Sequence, residues 1–125
     1  MNAISLAKTA YAAPGQSTRT LRGTEYDLFA RTTHGLKAAQ AMGAEGFAAL
    51  ARAIYENRRL WTTLAVDVAD PGNSLPADLR ARLFYLAEFT NAHSRKVLSG
   101  KASADVLIDI NTSVMRGLRR EGGGE

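Results

Sequence analysis

Apolar residues recur at alternating steps of three and four along most of this chain, and this period constrains its fold more than any other feature. Side chains spaced in this way lie on one face of an α-helix, which must pack against another apolar surface. No run of β-branched residues alternates in the manner of a strand. A chain of 125 residues can bury a core without disulfides or metal ions. The pattern therefore predicts an all-α fold, a small antiparallel helical bundle of about five helices.

Proline, glycine and serine mark the boundaries of the first three predicted helices. The first covers residues 2–12, and a polar linker follows at 13–23. Thr24 can cap the second helix, because threonine side chains accept hydrogen bonds from amides of the first turn. This helix runs to about Ala41, and the third covers about 44–69 and ends at an Asp-Pro-Gly-Asn turn signal.

Two further helices complete the predicted bundle. Pro76 suits the first turn of the fourth helix, which stops at Gly100, and Ser103 can cap the fifth. The glycine-rich residues 122–125 are expected to form a flexible tail, so that 1–121 make up a single helical domain.

The predicted core lies along three apolar stripes, one on each of the last three helices. The glycine-containing connection 100–102 is short, which predicts that the fourth and fifth helices are antiparallel neighbours, with the second helix closing the bundle. Asn57 fills a gap in the first stripe. The stripes are Phe47, Leu50, Ile54, Trp61, Leu64 and Val68; Leu79, Leu83, Leu86, Thr90, His93 and Val97; and Leu107, Ile110, Val114 and Leu118.

The composition limits the compartment and the chemistry. The chain has no cysteine, which excludes disulfides, thiolate metal sites and a cysteine nucleophile. Its N-terminus lacks the basic start and unbroken apolar run of a signal peptide, and no stretch reaches the roughly 18 apolar residues of a membrane span. We therefore expect a cytoplasmic protein with no membrane insertion. The net charge of +4 permits an anionic partner without requiring one.

No motif for catalysis, cofactor binding or metal binding is found in the sequence. Phosphate-binding glycine loops, a nucleophile elbow and the histidine–glutamate patterns of metal sites are all lacking. His93 lies on a core stripe, where a buried and hydrogen-bonded histidine is the ordinary role. We therefore predict that the protein is not an enzyme. Only His93 beside Thr90 would support an enzymatic role.

Apolar residues beside the core stripes predict a partner-binding groove between the fourth and fifth helices. Arginines at its rim would favour a helix with both apolar and acidic residues. Alternatively, the second helix covers this surface, with Tyr26, Phe29 and Leu36 filling it. The candidate site consists of the apolar residues Tyr85, Phe89, Ile108 and Met115, with Arg82, Arg116 and Arg119 at the rim.

Short arginine clusters leave RNA binding as a second possibility. Arg58, Arg59, Arg116, Arg119 and Arg120 would favour it if the fold brought them to one face, because nucleic-acid binders concentrate positive charge there. Dispersed over several helices, the same arginines are ordinary solvated surface.

Four segments of the chain resemble the FlaF family of flagellar biosynthesis regulators. They are TEYDLFARTT (24–33), ENRRLWTTLA (56–65), DPGNSLP (70–76) and LIDINTSVMRGL (107–118), and the Ala10–Tyr11 pair followed by a polar linker is also similar. The resemblance covers nearly the whole chain in matching order.

The resemblance implies a role in flagellin production and export. It implies a cytoplasmic flagellin-binding secretion chaperone or regulator, with flagellin as the partner and an FlbT-type regulator as a further one. The alternative function is a post-transcriptional regulator that contacts flagellin mRNA directly. Translation and export remain open as the level of action.

Overall fold

The computed structural model describes residues 18–122, and it describes side-chain surroundings for residues 25–117. Within this range the chain is helical and contains no strand, so the predicted all-α fold is confirmed. The predicted first helix, and the predicted tail beyond Gly122, lie outside the described residues. Four α-helices are present in this range: α1 (Thr18–Ala41), α2 (Phe47–Ala69), α3 (Ala77–Leu98) and α4 (Asp105–Gly122).

Helix α1 begins earlier than the sequence predicts. It starts at Thr18, so part of the predicted linker is helical and Thr24 lies inside the helix. The prediction that Thr24 is an N-cap is therefore wrong. Residues 18–23 contain leucine and two arginines, which are strong helix formers, and only one helix-weakening glycine.

A tight turn joins α1 to α2. Gly43 has a φ of 66°, a left-handed conformation that glycine adopts without strain, and opens a short 3-10 helix, Gly43–Gly46. Gly46 is buried beneath Met42, and a Cβ atom at Gly46 would lie only 2.7 Å from the carbonyl oxygen of Ala39. Phe47 opens α2 at this end of the bundle and is 56% exposed. The prediction that Phe47 belongs to the core stripe is therefore wrong.

The predicted turn after α2 is confirmed. Asp70 accepts a bond from the amide of Gly72, and Asn73 accepts one from the amide of Leu75. The Asn73 side chain also donates to the carbonyl oxygen of Asp67, at 3.1 Å. These short-range bonds hold the reversal of direction before α3.

A longer-range clamp sets the start of α4. Gln40 of α1 accepts a bond from the amide of Ala104 at 2.8 Å and donates one to the Asp105 carboxylate at 2.7 Å. Ser103 accepts a bond from the amide of Asp105, at 3.2 Å, which agrees with its predicted capping role. The first turn of α4 is thereby attached to the end of α1.

The packing order of the helices differs from the prediction. Helix α1 packs against α2 and α4, α2 also packs against α3, and α3 and α4 make only slight contact. The predicted close pairing of the last two helices is therefore wrong. A short connection brings helix ends together, but the apolar face of α4 is buried against α1 instead.

Two apolar clusters fill the core, and a layer of buried polar side chains lies between them along every helix. One cluster surrounds Ile54 and Leu107, and the other surrounds Trp61. Each helix contributes to the polar layer between its contacts with the two clusters. Such layers fix helix register, because a shifted partner would leave polar groups unpaired. The layer consists of Thr33, Asn57, Thr90, Ser94 and Asn111.

Candidate partner-binding site

The slight contact between α3 and α4 leaves an apolar seam along one side of the bundle. The two helices approach near their connection, where His93 Nε2 lies 3.2 Å from the carbonyl oxygen of Ser103. Farther from this connection they pack against α2 and α1 respectively. Side chains that face the space between α3 and α4 therefore have a covered base, and no further helix of the described range lies over them.

The wall on α3 continues from His93 towards the start of the helix. Phe89 stacks on the His93 ring, with centroids 5.5 Å apart and planes 17° from parallel. Leu86 lies two turns before His93 and therefore on the same side of α3. Leu83 and Leu86 are half-buried, and both pack against the Trp61 cluster.

The wall on α4 is formed by Ile110 and Val114. Both are half-buried and pack against the same cluster. Gly117 lies two turns beyond Ile110, on the same side of α4. Among the described residues, no atom lies within 4 Å of where a Cβ atom at Gly117 would be. We call the surface formed by Leu83, Leu86, Phe89, Ile110, Val114 and Gly117 the α3–α4 seam.

The base beneath the seam is a buried, hydrogen-bonded side-chain network. Trp61 is 1% exposed and makes an edge-to-face contact with Phe29, with centroids 5.6 Å apart. Its Nε1 donates to Asn111 Oδ1 at 2.8 Å, and Asn111 Nδ2 donates to Asn57 Oδ1 at 2.8 Å. Since these bonds are buried, they fix the position of the tryptophan ring.

The predicted site residues of α3 lie at or beside the seam. Phe89 belongs to its wall, and Tyr85 is 66% exposed one turn earlier. Arg82 is exposed and lies three turns before His93, on the side that faces α4. The structure therefore keeps these three predicted residues together.

The predicted site residues of α4 point elsewhere. Ile108 is 9% exposed and belongs to the core cluster shared with α1. Met115 accepts a bond from the Thr33 hydroxyl of α1, at 3.8 Å. Arg116 is exposed, and the Arg119 side chain lies outside the described residues. Ile108 and Met115 therefore do not join Phe89 in one groove.

The alternative arrangement, in which the predicted second helix covers this face, is found on the α4 side only, because α1 packs against α4 and not against α3. Phe29 and Leu36 of α1 are buried against the core, and Tyr26 is half-buried. The half-buried residues at the seam are instead members of the predicted core stripes, namely Leu83, Leu86, Ile110 and Val114. Their spacing predicted that they face other helices, but it gave no information on how closely α3 and α4 approach each other.

The predicted burial of His93 is only partly correct. Its side chain is half-exposed and is held by the contact with Ser103 and by stacking on Phe89. Within the described residues, no three histidine, aspartate or glutamate side chains come together at a spacing suited to a metal ion.

The arginines that would favour RNA binding are dispersed. Arg58 donates to Asn91 at 2.8 Å, and the Arg59 guanidinium lies 5.8 Å from the centre of the Tyr55 ring, both on the α2 side. Arg116 is exposed on α4, a helix whose main packing partner is α1 and not α2. Among the described side chains, the predicted arginine cluster is not formed.

Comparisons with known proteins agree with the resemblance noted in the sequence. No helix in the described part of the chain has both the length and the apolar character needed to cross a bilayer. No curated protein and no solved structure matches the chain. A family model described as "Flagellar protein FlaF" matches residues 7–118 and includes all four helix cores and both walls of the seam. The chain therefore belongs to the FlaF family of flagellar proteins.

Proposed function

We propose that this protein is a cytoplasmic flagellin-binding chaperone or regulator of flagellar biosynthesis, which holds an amphipathic helix of flagellin in the α3–α4 seam. The observation that supports this proposal is the pair of half-buried apolar walls over the hydrogen-bonded base around Trp61. Membership of a flagellar family directs the choice of partner. The action is binding and not catalysis.

A helix is the occupant that this shape favours. An amphipathic helix inserts apolar residues from successive turns into a groove between two helices. The seam presents Leu86 and Phe89 on one side and Ile110 and Val114 on the other, all half-buried. A bound helix would remove their remaining apolar surface from water, which is the main favourable term in such association.

This mode of binding explains how one small protein could affect both synthesis and export. An apolar helix left free in solution exposes surface that promotes aggregation or premature assembly. A reversible complex would cover that helix until the export machinery or an FlbT-type regulator competes for it. Arg82 at the edge of α3 would favour an acidic residue on the occupant and raise the association rate.

Gly117→Phe tests the seam without removing a core contact. The added ring meets no described atom at its Cβ position, and replacing glycine with phenylalanine favours the helix by roughly 0.5 kcal/mol. We expect normal or increased thermal stability and a loss of flagellin binding, measured by calorimetry with purified flagellin. Ala48→Phe is the matched control, because Ala48 is exposed on α2, away from the seam.

A second pair of variants removes apolar surface instead of filling the space. Phe89→Ser should weaken flagellin binding, whereas Tyr55→Ser, at an exposed aromatic residue outside the seam, should not. Unchanged affinity in both Gly117→Phe and Phe89→Ser would refute the seam as the binding site. Binding of flagellin mRNA that weakens steeply with salt, without any flagellin complex, would support the RNA alternative instead.

A further inference from the structure

The solvent-facing side of α3 carries a large exposed aromatic residue between two small ones. Tyr85 is 66% exposed, and Ala81 and Ala92 lie on the same side of the helix, also exposed. The core side of α3 is marked by Ala87, Thr90, Ser94 and Val97, which are all buried. We call Asp78, Ala81, Tyr85, Ala92 and Lys96 the outer stripe of α3.

Charges at the two ends of the outer stripe have opposite signs. Asp78 lies in the first turn of α3 and Lys96 in the last. Both are exposed, and neither side chain forms an ion pair within the described residues. Asp78 and Lys96 lie at equal distances along the chain on either side of Ala87. The stripe is thus complementary in charge to a reversed copy of itself.

We propose that the outer stripe of α3 binds the same stripe of a second copy of this chain, as an antiparallel dimer with a two-fold axis near the level of Ala87. A two-fold interface must be self-complementary, since each residue that contacts a second one is contacted by it in turn. Asp78 of each copy then faces Lys96 of the other copy, so the ion pair forms twice.

Aromatic contacts lie near the axis of this dimer. Tyr85 and Phe89 are two residues on either side of Ala87, so Tyr85 of one copy meets the edge of Phe89 in the other. Phe89 is half-buried and stacked on His93, which holds its ring in place. The small side chains of Ala81 and Ala92 allow the two helices to approach closely.

The proposed interface is small, and it shares Phe89 with the α3–α4 seam. One pair of helices buries an area at the lower end of specific interfaces, so we expect a weak and reversible dimer. Sedimentation equilibrium of the purified chain, up to millimolar concentration, should therefore show a monomer–dimer equilibrium. A failure of this proposal would leave the proposed function intact, because no flagellin is present in the assay.

Charge reversal tests the pairing. Asp78→Lys and Lys96→Asp each place like charges opposite one another at two positions, and each should raise the dimer dissociation constant roughly tenfold. The double variant D78K/K96D restores complementarity and should recover dimerisation. Each single change also opposes the helix dipole, and this effect accumulates in the double variant, so recovery separates pairing from helix stability.

Tyr85→Ala should also weaken the dimer, whereas Tyr55→Ala, at a similarly exposed tyrosine on α2, should not. Circular dichroism of every variant checks that the helices are retained. A chain that stays monomeric at all concentrations would overturn the proposal. So would a dimer that neither single charge reversal affects, or one that the double variant fails to restore.

Discussion

Replacing Trp61 with alanine removes the residue on which one half of the core is built. The Trp61 side chain is 1% exposed, packs edge-to-face against Phe29 and donates a buried hydrogen bond to Asn111. It lies in the cluster to which α1, α2 and α3 all contribute buried residues. The substitution therefore leaves both a cavity and an acceptor without its donor.

The two losses can be given separate magnitudes. Large-to-small changes of aromatic residues in cores cost about 3–5 kcal/mol. A buried acceptor left without a partner costs about 1–3 kcal/mol more. We expect Trp61→Ala to lower the free energy of unfolding by about 4–8 kcal/mol, a large share of the roughly 5–15 kcal/mol of a small domain. Trp61→Phe, which retains most of the apolar volume, should cost about 1–3 kcal/mol, mainly through the lost hydrogen bond.

Urea unfolding followed by far-UV circular dichroism measures both variants. Fluorescence cannot follow Trp61→Ala, because Trp61 is the only tryptophan. A loss below about 2 kcal/mol for Trp61→Ala would refute the reasoning, since such values are typical of ordinary substitutions. A double-mutant cycle of Trp61→Phe with Asn111→Ala should show a coupling of at least about 0.5 kcal/mol. Additive effects would contradict the proposed contribution of the hydrogen bond.

Three further predictions concern the turn between α1 and α2, the middle of α1 and the polar layer. Gly46→Ala should lower the free energy of unfolding by more than about 1 kcal/mol, because its Cβ would lie 2.7 Å from the Ala39 carbonyl oxygen. Gly35→Ala in α1, whose nearest neighbour would be 3.9 Å away, should raise it by up to about 1 kcal/mol; equal thermal shifts in the two variants would contradict this. Thr90→Val should stabilise the protein by about 1 kcal/mol, because the buried Thr90 hydroxyl has no hydrogen-bond partner among the described residues. A lower urea midpoint would instead indicate that this hydroxyl is bonded.

Periodicity in the sequence predicts which polar residues face the core, but it does not predict how they pair. Asn57 interrupts an apolar stripe in the sequence, and its position predicts that it faces the core. It is fully buried, as is Asn111, which the sequence did not single out. Their hydrogen bond joins residues 54 positions apart, and no local pattern encodes such a pairing. The burial of each asparagine is explained by its hydrogen bond to the other, which only the tertiary structure shows.

Helix existence, the turn after α2 and the buried position of Trp61 were determined by the sequence itself. These features depend on local propensity and on a period that any packed helix must obey. Which helices pack against each other was decided only by the tertiary structure. An apolar stripe predicts that a helix is packed, but it does not predict its partner. The close packing of α4 on α1 buries Ile108 and Met115 and leaves Ile110 and Val114 at an open seam. Neighbouring residues of a helix point in directions about 100° apart. The position of the adjacent helix therefore decides which of these side chains are buried and which remain partly exposed.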